Sequence, residues 1–182
     1  MANAVGYATV DSPIGPLLVA ATERGLCFIQ FGAGEPEMLS LARWCLKHGL
    51  GEPIADEERT RQAVTEIGEY FAGQRKQFDV QLDLYGTPFQ KAVWTALTQI
   101  PYGETRSYKE IALAVGQAKA VRAVGGANNR NPIPVIVPCH RVIGANGHLV
   151  GYGGGLSVKQ RLLAQEGVSS YAQQDLFAET SR

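Results

Sequence analysis

The stretch "SYKEIALAVGQAKAVRAVGGA", residues 107–127, decides how this chain folds. Its first half opens with Ser107 and Glu110, the spacing of a capping box, and closes at Gly116. Its second half is a further short helix, expected to end at Gly125-Gly126. Two short helices joined around a glycine, the second carrying Lys119 and Arg122, have the pattern of a helix-turn-helix. Any pair of packed helices shares that pattern, so the surrounding charge matters. Residues 85–167 carry nine Lys plus Arg against three Asp plus Glu, a net +6. Residues 1–84 carry seven against twelve, a net −5, and the tail one against two. A basic half beside an acidic half points the second half at a polyanion; chance clustering on solvated faces is the alternative.

Upstream of this stretch, "TPFQKAVWTALTQI" is a helix. Thr87 is its N-cap, Pro88 its first helical position, and Gln90 completes a capping box. The first third reads as an antiparallel meander. "VGYATV" and "PLLVAAT" flank the turn "DSPIG", and "ERG" leads into "LCFIQFG". "EPEMLSLARWCLKHG" and "EERTRQAVTEIGEYFAG" carry helical periodicity, and "FDVQLDL" alternates as a short strand. "YGTP" near residue 86 is the expected domain boundary. Downstream, Val135, Ile136 and Val137 are expected to form a buried strand, and "GANGHLVGYGGG" a turn and a glycine-rich loop. That loop lacks a GxGxxG in a βαβ setting, so it is not a dinucleotide site. "SVKQRLLAQEG" is a last helix, with Ser157 and Gln160 as capping box and Gly167 as stop. The fold expected is α+β: residues 1–85 an α/β domain on a three-stranded antiparallel sheet, 86–167 a mostly helical domain with the helix-turn-helix, and 168–182 a tail without order.

"PVIVPCHRVIG", residues 134–144, carries the chemistry. A cysteine beside Val and Pro is usually inert packing. Here His140 and Arg141 follow it directly, and a nearby imidazole or positive charge favours a thiolate. The residues alone leave packing and nucleophilic roles both open. In a regular strand Cys139 and His140 would point to opposite faces, so they cooperate only if the chain turns there or through water. Glu166 is a candidate to orient the histidine; the alternative is the solvent-exposed position usual for a Glu at a helix end.

"PCHRV", together with "GTPFQKAVWTAL", "IPYGETRSYKEIA", "KAVRAVGGANNRNP" and "GYGGGLSVKQRLLAQEG" in the same order and spacing, resembles the O6-alkylguanine-DNA alkyltransferases. The strong resemblance covers about residues 86–167; the N-terminal meander resembles the family's first domain more loosely. The resemblance implies an RNase H-like first domain and a winged-helix-like second one. It implies that Cys139 accepts the alkyl group, that His140 takes its proton through a water, and that Glu166 orients His140. Asn131 becomes the hinge between recognition helix and site. Tyr108 assists extrusion of the nucleotide and donates to the departing base. Arg122 fills the gap left in the duplex, and Lys109 and Arg141 join it at the DNA. Tyr152, Gly153 and Gly154 wall the pocket. The partner implied is double-stranded DNA carrying O6-alkylguanine, entered from the minor groove by a monomer. Residues 128–130 vary from the family's usual pattern.

Other classes are set aside on composition. No run approaches the roughly 18 apolar residues of a membrane-spanning helix. The N-terminus lacks the charged start and apolar core of a signal peptide, so a cytoplasmic protein is expected. The three cysteines, Cys27, Cys45 and Cys139, form no CxxC; neither a metal nor another cofactor is expected. Cys27 and Cys45 fall on apolar faces and read as core. Two further readings compete: an alkyltransferase-like lesion binder, against which Cys139 argues, and a cysteine hydrolase on a Cys-His-Glu triad.

Overall fold

A computed structural model describes residues 3–169 and 171. Strands β1 (Val5–Val10), β2 (Leu17–Thr22) and β3 (Gly25–Phe31) form the expected antiparallel meander. All six residues of β2 are buried, because both faces are covered. Leu17 and Val19 face helix α2 (Glu57–Phe71) through Ala63 and Ile67. Leu18 and Ala20 face helix α1 (Glu35–Lys47) through Leu41 and Cys45. The strand's two-residue period divides its apolar side chains between two cores.

Two strand expectations in the first half need correcting. The sheet has a fourth strand, β4 (Pro53–Ala55), parallel to β1, giving the order β3-β2-β1-β4. Three residues opening on a proline give no alternating signal, and proline is tolerated there because the strand is at an edge. "FDVQLDL" is not a ladder strand. It runs along the free edge of β3 and makes one bridge, with Leu26 N–H donating to Gln81 O at 2.9 Å and Asp83 N–H to Leu26 O at 2.8 Å.

In the second half, α3 (Pro88–Thr98) and α4 (Tyr108–Ala114) start at the two capping boxes expected. Helix α5 (Val121–Asn129) does not stop at Gly125-Gly126 but runs on to Asn129. Glycine costs a helix only about 1 kcal/mol, and Gly125 gives the Tyr108 ring room against the helix: an added Cβ would lie 4.0 Å from it. The buried Trp94 indole of α3 donates to Ala127 O of α5 at 2.8 Å. A short strand β5 (Arg106–Ser107) pairs in parallel with β6 (Val142–Ile143). Helix α6 (Leu156–Gln165) is capped by Gly155 at φ 91°, not by a Ser157 box; Ser157 sits inside its first turn.

Residues 135–137 are buried but form no strand. Pro132, Pro134 and Pro138 remove the donors a ladder needs, and the chain coils instead, with Val137 N–H bonded to Ile133 O at 2.9 Å. Val135 holds φ at 74°, a left-handed conformation that a β-branched residue rarely adopts. One apolar cluster joins Leu17, Val19 and Ile67 to Val93, Trp94, Ile111, Val124, Ile136 and Cys139, so the two halves share a core. Of the tail, Val168 is buried in a separate small cluster with Ile143, Leu149 and Leu163, on which Tyr171 packs; residues 170 and 172–182 lie outside the described residues. Among the described residues, no helix is long and apolar enough to cross a membrane.

Candidate active site

The site is built on the coil that replaces the expected strand. Asn131 fixes it from both sides: its Oδ1 accepts Ile133 N–H at 2.9 Å and its Nδ2 donates to Val137 O at 2.8 Å. The coil is also tied to the sheet, where Ile29 N–H of β3 donates to Pro132 O at 2.8 Å. After Pro138 the chain enters a single 3₁₀ turn, Cys139–Arg141. Successive side chains there fan out by about 120° instead of alternating. That turn lets Cys139 face a cavity while His140 points inward to Glu166.

His140 Nε2 and Glu166 Oε2 are 2.7 Å apart, and both side chains are fully buried. Glu166 also receives Arg141 Nε at 2.5 Å on Oε1, and Arg141 Nη1 donates to Ile100 O at 2.7 Å. Burial works against the Glu166 carboxylate, but the His140 hydrogen bond and the Arg141 charge outweigh it and hold its pKa below the usual value. Burial pushes the His140 pKa down, so the imidazole is neutral. Facing an ionised carboxylate, its proton belongs on Nε2, which leaves Nδ1 an acceptor. Nδ1 is buried and has no hydrogen-bond partner among the described residues.

Burial raises the Cys139 thiol above its ordinary value; the Asn131 amide, the Lys159 ammonium and the Tyr152 hydroxyl work the other way. The Tyr152 hydroxyl lies near the sulfur without a hydrogen bond of ordinary geometry to it. The resting sulfur is therefore a protonated thiol, beside a neutral imidazole able to take the proton. Lys159 is fully buried, its Nζ donating to Val142 O at 2.6 Å and Val150 O at 3.0 Å. Burial depresses its pKa to about 8. Sequence reasoning missed Lys159, although it shares the inward face of α6 with Leu162, Leu163 and Glu166, at spacings of three, four and seven.

Cys139 opens on a cavity of about 170 Å³ lined by Ile29, Gln30, Phe31, Asn128, Asn131, Pro134, Tyr152 and Gly153 among others. Residues 88–168 match the 6-O-methylguanine DNA methyltransferase DNA-binding domain, and residues 5–84 match the ribonuclease-like domain of the same family. A methylated-DNA–protein-cysteine methyltransferase of Methanosarcina acetivorans is 52% identical over 161 residues, covering 88% of this chain and 97% of that one. The chain belongs to the 6-O-methylguanine DNA methyltransferase family. A Mycobacterium tuberculosis member (strain H37Rv) is 47% identical over 173 residues, 95% of this chain and 99% of its own. The crystal structure of M. tuberculosis OGT in complex with DNA matches with a TM-score of 0.76 at 46% identity, covering 89% of this chain and 93% of that one.

Within this methyltransferase framework the remaining expected residues fall at different places. Tyr108 opens α4, its hydroxyl 3.5 Å from Val150 O, and burial raises its pKa above the ordinary value. Lys109 and Arg122 are exposed on α4 and α5. Arg141, expected at the DNA, is instead buried, its guanidinium committed to Glu166 and Ile100. Tyr152 and Gly153 wall the cavity, whereas Gly154 packs on Phe31, where an added Cβ would come within 3.0 Å of the ring. Ile29, Gln30 and Phe31 bring the first domain into the site; an alternating strand gave no sign of it. Among the described residues, no three His, Cys, Asp or Glu side chains cluster as metal ligands.

Proposed function

We propose that the protein repairs O6-alkylguanine in double-stranded DNA by moving the alkyl group onto Cys139, once per chain. One observation carries this reading: a cavity that ends at Cys139, backed by a buried neutral His140 whose Nδ1 is open and whose Nε2 is held by Glu166. Helix α5 reaches the cavity with Asn128 and Asn129, and Lys109 of α4 and Arg122 of α5 are exposed. A base inside the stack is out of reach of a buried thiol, so it must leave the duplex, at a cost of roughly a few kcal/mol. Arg122 takes the vacated place in the duplex, with α5 entering the minor groove and a monomer acting alone.

The chemistry follows from the residue types. The thiol proton passes through a water to His140 Nδ1, and Glu166 stabilises the imidazolium. The sulfur attacks the alkyl carbon, the carbon–O6 bond breaks, and its electron pair returns to the purine. Tyr108, whose hydroxyl lies 3.5 Å from Val150 O, donates the proton that lets guanine leave neutral. The product is a thioether, which water does not cleave at any useful rate, so the protein is consumed. The test is Cys139→Ser on a duplex carrying one O6-methylguanine. The variant is expected to bind the lesion without losing methyl from the DNA; loss of binding as well would make Cys139 a packing residue.

A further inference from the structure

A second cavity, of about 460 Å³, shares no lining residue with the Cys139 cavity. Its walls include Pro138 and Arg141, which flank Cys139 and His140. It lies where the two matched domains meet: Lys76 and Phe78 come from the first, Tyr102 and Ile136 from the second. Phe78, Val80, Leu82 and Ile136 give it apolar walls continuous with the shared core. Among the described residues that line it, none is acidic.

Two cations meet there at one ring. Lys76 Nζ lies 5.6 Å and Arg141 Cζ 5.8 Å from the centroid of Tyr102, whose hydroxyl donates to Gln165 O at 3.0 Å. Lys76 is exposed and makes no ion pair among the described residues; the carboxylates of its own segment, Glu69 and Asp79, are taken by Arg75 at 2.6 and 2.9 Å. Arg141 is only 6% exposed. Its Nε is held by Glu166, and Nη1 donates to Ile100 O at 2.7 Å. Nη2 makes no hydrogen bond among the described residues, yet it is not one of the buried polar side-chain atoms without a partner, so it keeps accessible surface. Glu166 balances the charge of Arg141, so Arg141 offers the cavity donors and Lys76 the net charge. An apolar space with unused guanidinium donors and an unpaired ammonium is complementary to an oxyanion on an apolar body.

We infer that this cavity binds a small organic oxyanion, a phosphate monoester or a carboxylate, with its oxygens on Arg141 Nη2 and Lys76 Nζ and its apolar body against Phe78, Val80 and Ile136. Lys76 belongs to the first domain and Arg141 to the second, so the bound anion ties the two halves together and raises the Tm.

The experiment is calorimetric titration of the whole chain with phenyl phosphate and with benzoate, at an ionic strength matched with sodium chloride. At least one of the two is expected to bind saturably, one per chain, and the tighter of them names the class. The Arg141 Nε–H resonance is expected to shift with the same saturation, and benzyl alcohol, which has no charge, to give no binding. Lys76→Met keeps the length of the side chain and removes the ammonium. It is expected to weaken binding about tenfold, the size of one charge-assisted contact, and to leave the transfer rate unchanged. Absence of saturable binding by both anions overturns the inference. So does binding that Lys76→Met leaves intact, or that leaves the Arg141 resonance unmoved. Displacement of bound undamaged duplex by phenyl phosphate also overturns it, for then the anion occupies the DNA face.

Discussion

At Glu166, one buried carboxylate serves two partners: it orients the neutral His140 and neutralises the Arg141 cation. Removing one member of a buried ion pair typically costs about 3–5 kcal/mol, so Glu166→Gln is expected to lose stability of that order in urea denaturation, as well as transfer rate. A fall in rate with full stability would mean that Arg141 has another partner. The same residues set the acid limit. His140 is held below its ordinary 6.5, so as pH drops past 6.5 the unfolded chain takes a proton the folded one refuses. Glu166 is held below its ordinary 4.5, so its contribution, complete above that pH, disappears as pH falls through the folded value. Both act in one direction, and stability is expected to fall steadily from pH 6.5 downward. A flat profile between pH 6.5 and 4 would contradict the buried, neutral His140. Little of this was legible beforehand. Cys139 and His140 stand out in the sequence, whereas Glu166 is only a candidate until the fold brings it to His140; burial turns Arg141 from a DNA contact into a structural ion, and the helical spacing that puts Lys159 on the inward face does not by itself announce a buried cation.

At the scale of elements, capping residues carried most of the legible information. Thr87, Gln90, Ser107 and Glu110 mark two helix starts because their side chains satisfy backbone donors within the same turn, a purely local effect. Ser107→Ala is therefore expected to cost about 1 kcal/mol, read as a lower Tm. Gly125 misled because its reason is not local: it faces Tyr108 across the helix pair. An added Cβ there would make ordinary contact at 4.0 Å, so Gly125→Ala is expected to raise stability by about 0.5–1 kcal/mol through helix propensity. Destabilisation would mean that the helices pack more tightly than described. The strand expected at 135–137 failed for the opposite reason: its apolar run reports burial, and burial does not distinguish a ladder from a coil pinned by Asn131.

At the scale of the whole molecule, the two matched domains are one folding problem. Leu17, Val19, Leu26 and Ile29 of the sheet pack in the same cluster as Val93, Trp94, Val124 and Cys139. The β3 edge holds the active-site coil through Ile29 and Pro132. A chain beginning at residue 86 is accordingly expected to lose its cooperative thermal transition and its transfer activity. Retention of both would show that the sheet is dispensable to the site. The charge division, +6 over residues 85–167 against −5 over residues 1–84, agrees with the match of residues 88–168 to the family's DNA-binding domain. Affinity is expected to fall with salt on a shallow slope, because so small a basic face makes few phosphate contacts.

The central claim is that Cys139 is an acceptor consumed in one turn. Its most direct test is mass spectrometry of the intact chain and of the peptide containing Cys139, after incubation with excess duplex carrying O6-methylguanine. One methyl group per chain is expected, on Cys139, with repair stopping when every chain carries it. Continued loss of methyl from the DNA over an unmodified protein, or methyl found on Cys27 or Cys45, would contradict it.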